Sequence, residues 1–298
     1  MKAVVIDRVS KKFLDFYAVR DLSLEIQAGR IFGLLGPNGA GKTTTIRMLV
    51  DIFAPDAGQI LVLGERPSSK LKRRVGYLPE ERGLYKDMKI CDLLLFFGRL
   101  RGVETRQAKQ RVDEWLSLLG LSDWKDKKPR ELSKGMAQKV QFVVSVIHEP
   151  ELLILDEPFS GFDPVSVRQM QSFVFDLQKR GATVILSTHQ MEQVEQLCDE
   201  ICIINRSRKV LAGTLRDVKS SFGQNTVIID YQGLDTFLEN SLVKRVSRFP
   251  TYSEVLLNDG ADCQELLVRA LASGARVNRF ELVEPSLNDI FISMVEKE

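Results

Sequence analysis

The sequence predicts an α/β fold built on a parallel sheet, followed by a smaller α+β unit. Three patterns lead to this prediction. Alternating apolar and polar residues near the start are typical of half-buried antiparallel strands, short continuous apolar runs further along are typical of buried parallel strands, and helix-spaced apolar residues fill the stretches between them. The 298 residues also favour two domains rather than one.

The composition is that of a globular protein without a bias toward nucleic acid. Hydrophobic residues make up 44% of the chain, enough for a full core. The 42 basic and 40 acidic residues nearly balance, whereas nucleic-acid-binding domains usually carry a basic excess. We therefore expect no nucleic-acid partner. The local basic cluster at residues 70–74 is typical of a solvated helix face, and contact with anionic lipid headgroups is the alternative.

Neither a disulfide framework nor a membrane span is predicted. The four cysteines are scattered and form no CxxC pair, which is typical of reduced thiols. Charges interrupt the first residues too early for a signal peptide. No apolar run approaches the roughly 20 residues of a membrane span. We therefore expect any role at a membrane to depend on a partner.

The first domain is predicted to cover residues 1–218. Antiparallel strands are expected within residues 2–30, a buried strand at 31–35 and a helix at 43–50. Residues 88–148 change character and predict an all-helical insertion, with helices at 90–101, 106–119 and 132–147. Parallel-sheet patterns then return, with strands at 152–155 and 183–186, a helix at 169–180, and a closing hairpin at 200–205 and 209–212.

The second domain is predicted to cover residues 221–298. Its expected order is strand, helix, strand, strand, helix, strand, at residues 226–231, 235–239, 243–248, 254–258, 263–272 and 276–282. This is the order of a ferredoxin-like fold. A last helix is expected to start at Ser286, which with Asp289 fits a capping box. The unit contains no histidine and its acids are dispersed, so we expect no catalytic site there.

A phosphate-binding loop is the clearest functional motif. It consists of Gly36, Pro37, Asn38, Gly39, Ala40, Gly41, Lys42 and Thr43, followed by Thr44. The sequence matches G-x-x-x-x-G-K-[ST] between a predicted strand and a predicted helix. Glycines let backbone N–H groups surround a phosphate, Lys42 can reach the β- and γ-phosphates, and the Thr43 hydroxyl can bind Mg²⁺. The loop alone does not distinguish a kinase, a GTPase or an ATPase.

Acidic residues and a histidine follow two of the buried strands. Asp156 stands at the carboxyl end of its strand, where open α/β sheets bind ligands, and can hold Mg²⁺. Glu157 comes one residue later and can direct water for in-line attack on the γ-phosphate. His189 follows the strand at 183–186 and can hydrogen-bond the γ-phosphate. Isolated, these groups would be ordinary strand-end polar residues; beside Lys42 they predict nucleotide hydrolysis.

With these motifs in place, the sequence resembles the ATP-binding subunit of an ABC transporter. Leu132, Ser133, Lys134, Gly135 and Met136 stand where that family has its LSGGQ signature. The resemblance implies that Ser133 and Gly135 meet ATP held by a second copy, in a head-to-tail dimer. Asp163 ends the segment 160–163, which resembles the family's D-loop. Phe13 stands where the family stacks an aromatic ring on adenine, and a role as a core residue is the alternative.

Two departures from the family pattern stand near the expected nucleotide. Glu80 replaces the glutamine that helps to hold Mg²⁺ in the family, and it could still bind the metal as a carboxylate. Lys134 and Met136 replace a glycine and a glutamine of the signature. With residues 79–85 and the C-terminal extension, these departures resemble prokaryotic exporter ATPases of the sodium-extrusion and drug-export kind.

The resemblance implies an ATPase with ATP and Mg²⁺ as its ligands. We expect it to power an exporter through a separate transmembrane permease subunit, at the cytoplasmic face of the membrane, with no span of its own. The permease is expected to contact a groove between residues 80–85 and the helical insertion. Two alternatives are a soluble ABC ATPase acting on ribosomes or DNA, and a regulatory nucleotide-binding module with little hydrolysis. The C-terminal unit is expected to stabilise the dimer or regulate it.

Overall fold

The chain divides after Ala212. In the computed structural model, which describes residues 1–81, 83–222, 226–258 and 260–295, Met1–Ala212 forms one unit and Gly213–Glu298 a second. The division lies a few residues before the predicted boundary at 218–221. The reason is a helix at Leu215–Ser221, absent from the prediction, that belongs to the second unit. Its first turn is capped by the Thr214 hydroxyl, which accepts a hydrogen bond from the Asp217 N–H at 3.1 Å.

The first unit combines strands and helices in the order expected for an α/β domain. Its elements are β1 Lys2–Phe13, β2 Phe16–Gln27, β3 Ile31–Leu35, α1 Lys42–Leu49, β4 Ala57–Val62, β5 Val75–Leu78, α2 Ile90–Leu100, α3 Thr105–Leu118, α4 Lys134–Val146, β6 Leu152–Asp156, α5 Pro164–Lys179, β7 Thr183–Thr188, α6 Met191–Leu197, β8 Glu200–Asn205 and β9 Arg208–Thr214. Short 3₁₀ turns lie between them at Ser69–Arg73, Ser122–Trp124 and Pro129–Glu131.

A six-stranded sheet with the order β5-β6-β7-β3-β8-β9 forms the centre of this unit. Strands β5, β6, β7, β3 and β8 run parallel to their neighbours. All residues of β3, β6 and β7 are buried, as their continuous apolar runs predict. The carboxyl ends of these three neighbouring strands therefore meet at one edge, where parallel sheets bind ligands.

Antiparallel strands form a second sheet, with the order β2-β1-β4. Apolar residues of β1 and β2 such as Val4, Ile6 and Ile26 share one hydrophobic cluster with Phe32 of β3. The predicted antiparallel strands are thus confirmed. Strands β4 and β5 and helix α6 were not predicted, because their apolar runs are short.

Helix α5 begins at Pro164, five residues before the predicted start. The Asp163 carboxylate accepts hydrogen bonds from the N–H groups of Val165 and Ser166, both at 3.0 Å, and so caps the helix. Proline favours the first helical position because its missing N–H would have no partner there. Apolar spacing alone misses this first turn, which faces solvent.

The predicted helical insertion contains α2, α3 and α4. Trp115 of α3 joins α4 and α5 through edge-on contacts with Phe142, at 5.9 Å between ring centroids, and Phe173, at 5.5 Å. The insertion is therefore anchored to the α/β core by aromatic packing. No helix among the described residues is both long and apolar enough to cross a bilayer.

The second unit is a four-stranded antiparallel sheet with helices. After the helix at Leu215–Ser221, named α7, its elements are β10 Thr226–Gln232, β11 Val243–Arg248, β12 Ser253–Leu257, α8 Cys263–Ala272, β13 Arg276–Val283 and α9 Leu287–Val295. The strand order β11-β12-β10-β13 is the one that the ferredoxin-like pattern requires. The predicted helix at 235–239 is only a 3₁₀ turn, Thr236–Leu238, because few residues separate β10 from β11.

The C-terminal helix has the predicted cap. The Ser286 hydroxyl accepts a hydrogen bond from the Asp289 N–H at 3.1 Å and donates to the Asp289 carboxylate at 2.5 Å. The helix itself begins one residue later, at Leu287, because Ser286 is the cap.

Each unit has a hydrophobic cluster drawn from its own residues, between Val4 and Ile204 in the first and between Val227 and Phe280 in the second. We therefore expect residues 1–212 to fold and to bind ATP without the second unit. Thermal unfolding and ATP titration of this fragment, compared with the full chain, measure both properties. A fragment that unfolds cooperatively but binds no ATP would show that the division is wrong.

Candidate functional site

The phosphate loop is held in one conformation by close backbone packing. Gly36 and Gly41 have φ values of 148° and 110°, which side-chain-bearing residues rarely adopt. A Cβ atom on Gly36 would lie 2.1 Å from the Ile204 carbonyl oxygen, and one on Gly41 would lie 2.2 Å from that of Ala18. The two glycines therefore let the loop pass between β2 and β8, which fixes the direction of its N–H groups.

Lys42 is buried at the first position of α1. Its ammonium group donates hydrogen bonds to the carbonyl oxygens of Gly36, at 2.7 Å, and Pro37, at 3.1 Å. An ammonium has three N–H donors, so one remains for a phosphate oxygen. Burial lowers the pKa of Lys42, while the carboxylates of Glu157, Asp156 and Glu80 raise it. Thr43 and Thr44 follow in the first turn of the same helix.

Asp156 ends β6 with a carboxylate that has no hydrogen-bond partner among the described residues, although it is 1% exposed. Burial raises its pKa, the hydroxyls of Ser187 and Thr43 lie close enough to lower it, and Glu80 and Glu157 raise it further. A buried carboxylate without a partner is costly unless a cation joins it. The arrangement of a carboxylate beside a threonine hydroxyl fits Mg²⁺, which takes few protein ligands besides substrate phosphates.

Glu157 and His189 form a pair beside this carboxylate. The Glu157 carboxylate accepts hydrogen bonds from the Thr188 hydroxyl, at 3.2 Å, and from the His189 N–H, at 3.1 Å. Its Oε1 lies 2.7 Å from the His189 Nδ1. Glu157 itself has a φ of 48°, and its N–H donates to the Ser187 carbonyl at 2.9 Å. Hydrogen bonds with residues of β7 therefore hold the buried Glu157 in place, while the His189 side chain is half exposed.

Glu80 follows β5 and is exposed. Its charge acts on both Lys42 and Asp156, so it lies on the same side of the sheet edge as the other acids. No group of three His, Cys, Asp or Glu side chains spaced for a metal occurs in the described ranges. The segment 80–85 includes Arg82, which lies outside the described residues.

The signature residues lie at the start of α4. The Ser133 hydroxyl caps the helix by accepting a hydrogen bond from the Met136 N–H at 3.2 Å. A Cβ atom on Gly135 would lie 3.9 Å from the Phe162 ring, and one on Gly161 would lie 3.5 Å from the Lys134 ammonium. The signature thus contacts the segment 160–163 of its own chain. Asp163 in that segment caps α5, and its hydrogen bonds with Ser166 lower its pKa.

Phe13 lies at the end of β1 and is 41% exposed. Its ring packs edge-on against Phe53, at 5.3 Å between centroids, and the Lys11 ammonium lies 5.6 Å from its centre. The ring is neither a core residue nor free of contacts. It leaves surface open for a planar ligand.

A cavity of about 430 Å³ opens beside the phosphate loop. Its walls combine aromatic rings, cations and loop backbone: Phe16, Tyr17, Arg20, Pro37, Asn38, Gly39, Ala40, Asn205, Arg206, Ser207 and Arg208. Ser207 joins the walls, because its N–H donates to the Ala40 carbonyl at 3.1 Å and its hydroxyl to the Tyr17 carbonyl at 2.5 Å. Phe16 and Tyr17, which follow Phe13 closely in sequence, therefore lie beside the phosphate loop.

The structure also adds residues that the motifs did not single out. The Thr188 hydroxyl of β7 donates to Glu157, the neighbouring Ser187 lies close enough to lower the pKa of Asp156, and Gln138 of α4 donates to the Ser160 carbonyl after Glu157. Ser187 and Thr188 could have been found from the sequence only by a weak signal, namely that they are hydroxyl residues at the carboxyl end of a predicted parallel strand. Gln138 carries no such signal, because its partner is a backbone carbonyl 22 residues away.

Comparisons with known protein families match both units. A family described as ABC transporter matches residues 19–160, and one described as ATP-binding protein DrrA1-3-like, C-terminal domain, matches residues 213–295. The second match begins at the first residue of the second unit.

Similar proteins extend over the whole chain. It is 41% identical to the uncharacterized ABC transporter ATP-binding protein YhaQ of Bacillus subtilis (strain 168), over 98% of each protein. It is 35% identical to the Nod factor export ATP-binding protein I of Rhizobium sp. (strain N33), over 100% of this chain and 99% of the relative. A solved structure described as the ATP binding subunit of an ABC transporter is 29% identical, with a TM-score of 0.70, over 74% of this chain and 93% of its own.

The unpaired carboxylate of Asp156 predicts a gain in stability when its charge is removed. Its pKa is raised in the folded chain, so the ionised form opposes folding, and stability falls as the pH rises through that pKa. We expect Asp156→Asn to raise the Tm of the nucleotide-free protein by roughly 2–8 °C at pH 8. The difference should shrink in acid, where Asp156 is protonated. Differential scanning calorimetry across this pH range measures it.

Asp163→Asn is the matched control. Asp163 is exposed and its pKa is lowered, so the same substitution should give no gain in Tm. An Asp156→Asn protein that is less stable than the wild type at pH 8 would contradict the assignment of Asp156 as an unsatisfied charge.

Proposed function

The chain belongs to the ABC transporter ATP-binding proteins, and we propose that it is the ATPase of an exporter, which it drives through a separate transmembrane permease. The observation that carries this proposal is the unpaired carboxylate of Asp156 beside Lys42 and the Glu157–His189 pair. It is the arrangement that a phosphate-transferring site needs and that a regulatory module does not. Relatives named for Nod factor export support the direction of transport.

ATP would bind with its phosphates on the N–H groups of the phosphate loop and the positive end of α1. Lys42 would donate its remaining N–H to the γ-phosphate. The adenine would stack on Phe13, or on Phe16 and Tyr17 in the adjoining cavity.

Mg²⁺ would be held by the Thr43 hydroxyl and by Asp156, with Glu80 as a further oxygen ligand. The bound ion would neutralise charge on the β- and γ-phosphates. The two unpaired oxygens of Asp156 are the feature of this chain that fits such an ion.

Glu157 would orient and polarise the attacking water. Its Oε1 already contacts His189, and its Oε2 accepts from the Thr188 hydroxyl, so the carboxylate is fixed before substrate arrives. With both ring nitrogens protonated, His189 would donate from Nε2–H to a γ-phosphate oxygen while Nδ1–H stays on Glu157. This division of roles needs no large movement of either side chain.

The completed site would need a second copy of the chain. Ser133 and Gly135 contact Met136 and Phe162 of their own chain, respectively, and neither contact within the described ranges reaches its phosphate loop. In a head-to-tail dimer they would meet the γ-phosphate on the partner's loop, and Asp163 would lie between the two sites. The second unit would stabilise or regulate this dimer.

Glu157→Gln tests the catalytic assignment. We expect phosphate release to fall at least about 100-fold, because the amide cannot accept a proton from water. ATP affinity should change by less than about threefold, and ATP should now hold two copies together. Phosphate release and light scattering with and without ATP measure these outcomes.

Glu192→Gln, in the exposed first turn of α6, is the control and should hydrolyse ATP like the wild type. Unchanged turnover in Glu157→Gln would remove Glu157 from the mechanism. Loss of ATP binding in that variant would instead indicate a structural role.

The permease would dock on an aromatic cluster at the start of the helical insertion. Tyr85, 59% exposed, lies 6.3 Å from Phe96 and 6.1 Å from Phe97 between ring centroids. A separate cavity of about 200 Å³ includes Arg101, the residue that follows the last residue of α2. Its walls are Leu49, Val50, Ile52, Ser68, Leu71, Lys72, Val75, Tyr77 and Arg101. Docking here would keep the chain at the cytoplasmic face of the membrane.

Tyr85→Ala combined with Phe96→Ala tests this surface. We expect at least about a tenfold loss of binding to the membrane protein encoded beside this chain, since exposed aromatic residues contribute strongly to interfaces. ATP binding should not change. Co-purification of the co-expressed pair from detergent measures binding. Leu118→Ala, 55% exposed in the same insertion, is the control, and equal loss in that variant would contradict the proposed surface.

A further inference from the structure

Gln138 connects the signature helix to the segment that follows the catalytic glutamate. It lies in the second turn of α4, five residues after Ser133, and is 5% exposed. Its amide Nε2 donates a hydrogen bond to the carbonyl oxygen of Ser160 at 2.9 Å. One rigid helix therefore carries both the signature and this bond.

The segment between Glu157 and Asp163 is short and folded into turns. The Ser160 N–H donates to the Glu157 carbonyl at 3.3 Å, and the Phe162 N–H donates to the Phe159 carbonyl at 3.2 Å. Asp163 fixes the far end as the cap of α5. Because Ser160 is hydrogen-bonded to the Gln138 side chain and to the backbone of Glu157, a shift of α4 has a path to the backbone that carries the catalytic carboxylate.

Two further contacts join the first turn of α4 to the segment after Glu157. Gly135 faces the Phe162 ring, and the Lys134 ammonium lies over Gly161, whose φ is 80°. These contacts join the two residues that follow Ser160 to the start of α4. The Gln138–Ser160 hydrogen bond adds to these contacts.

The amide oxygen of Gln138 lowers the stability of the fold. This Oε1 atom is buried and has no hydrogen-bond partner among the described residues. It lines a cavity of about 10 Å³ together with Asp156 and Glu157. A buried amide oxygen without a partner destabilises the fold, so an apolar side chain of the same length would suit packing better. Local violations of this kind are expected where function requires the polar group.

We infer that Gln138 is a positioning residue that couples the signature of one chain to the Glu157 of the same chain. This inference rests on the proposed function, in which the signature contacts the ATP bound by the partner copy. Contact with that ATP moves α4, and the Gln138–Ser160 hydrogen bond carries the movement to the turns that position Glu157. Each site thereby responds to the nucleotide in the other.

Gln138→Met tests the inference, because methionine keeps the length and removes the donor. We expect kcat to fall by about threefold to tenfold and the Hill coefficient for ATP to approach 1. ATP affinity should stay within about twofold, and Tm should not fall, since the unsatisfied oxygen is also removed. Hydrogen exchange should increase at the amides of residues 158–163. Steady-state hydrolysis, ATP titration, calorimetry and mass spectrometry measure these quantities on the full chain.

Gln141→Met is the matched control, since Gln141 is buried one turn later in α4 and lines the same cavity without a recorded bond to Ser160. It should retain the wild-type Hill coefficient and hydrogen exchange. Gln138→Glu, nearly isosteric, also removes the donor and should reproduce the loss if the methionine variant does not fold.

The inference is overturned if both Gln138 variants keep the wild-type kcat and Hill coefficient, or if Gln141→Met changes them equally. Glu157→Gln separates this failure from failure of the proposed function. If Glu157→Gln is inactive while Gln138→Met behaves as wild type, only the coupling is wrong. If Glu157→Gln hydrolyses ATP normally, the proposed mechanism itself is wrong.

Discussion

The buried ammonium of Lys42 is the charge around which the site is arranged. Burial disfavours it, and the acids Glu157, Asp156 and Glu80 oppose that effect. Two loop carbonyls hold the ammonium in place and leave one donor free. Because the sheet brings the carboxyl ends of β3, β6 and β7 to one edge, these opposite charges come from distant parts of the chain yet act on one another.

The carboxylates around Lys42 outnumber its single positive charge. Three carboxylates act on one ammonium, and Asp156 has no hydrogen-bond donor of its own within the described ranges. The unpaired carboxylate therefore lowers the stability of the folded chain at the position that a divalent cation would occupy. Natural sites often keep such unfavourable groups because binding needs them.

Much of this arrangement could be predicted from the sequence, because its signals are local. The phosphate loop, the buried strands and the order of the second unit all follow from spacing within a few residues. The first turn of α5 could not, since its start depends on the Asp163 cap and not on apolar periodicity. The short strands β4 and β5 have too few residues for a pattern, and the division at Ala212 depends on contacts of a helix that the sequence leaves ambiguous.

Contacts between side chains that are far apart in the chain also could not be predicted from motif spacing. The motif predicts Glu157 and His189 separately, but their 2.7 Å contact requires the parallel pairing of β6 with β7. The same holds for the Lys134 ammonium, whose position over Gly161 depends on how α4 meets the turn after Glu157.

The two departures near the nucleotide have opposite charges. Glu80 adds a negative charge beside Lys42 and Asp156, and Lys134 adds a positive charge at the start of α4. In the proposed head-to-tail dimer, Lys134 of one copy faces the nucleotide that is bound near Glu80 of the other. The added charges then offset each other only when two copies close on ATP. A single copy retains the excess of acid, so Coulombic attraction favours the closed dimer over the separate chains, most strongly where water is excluded.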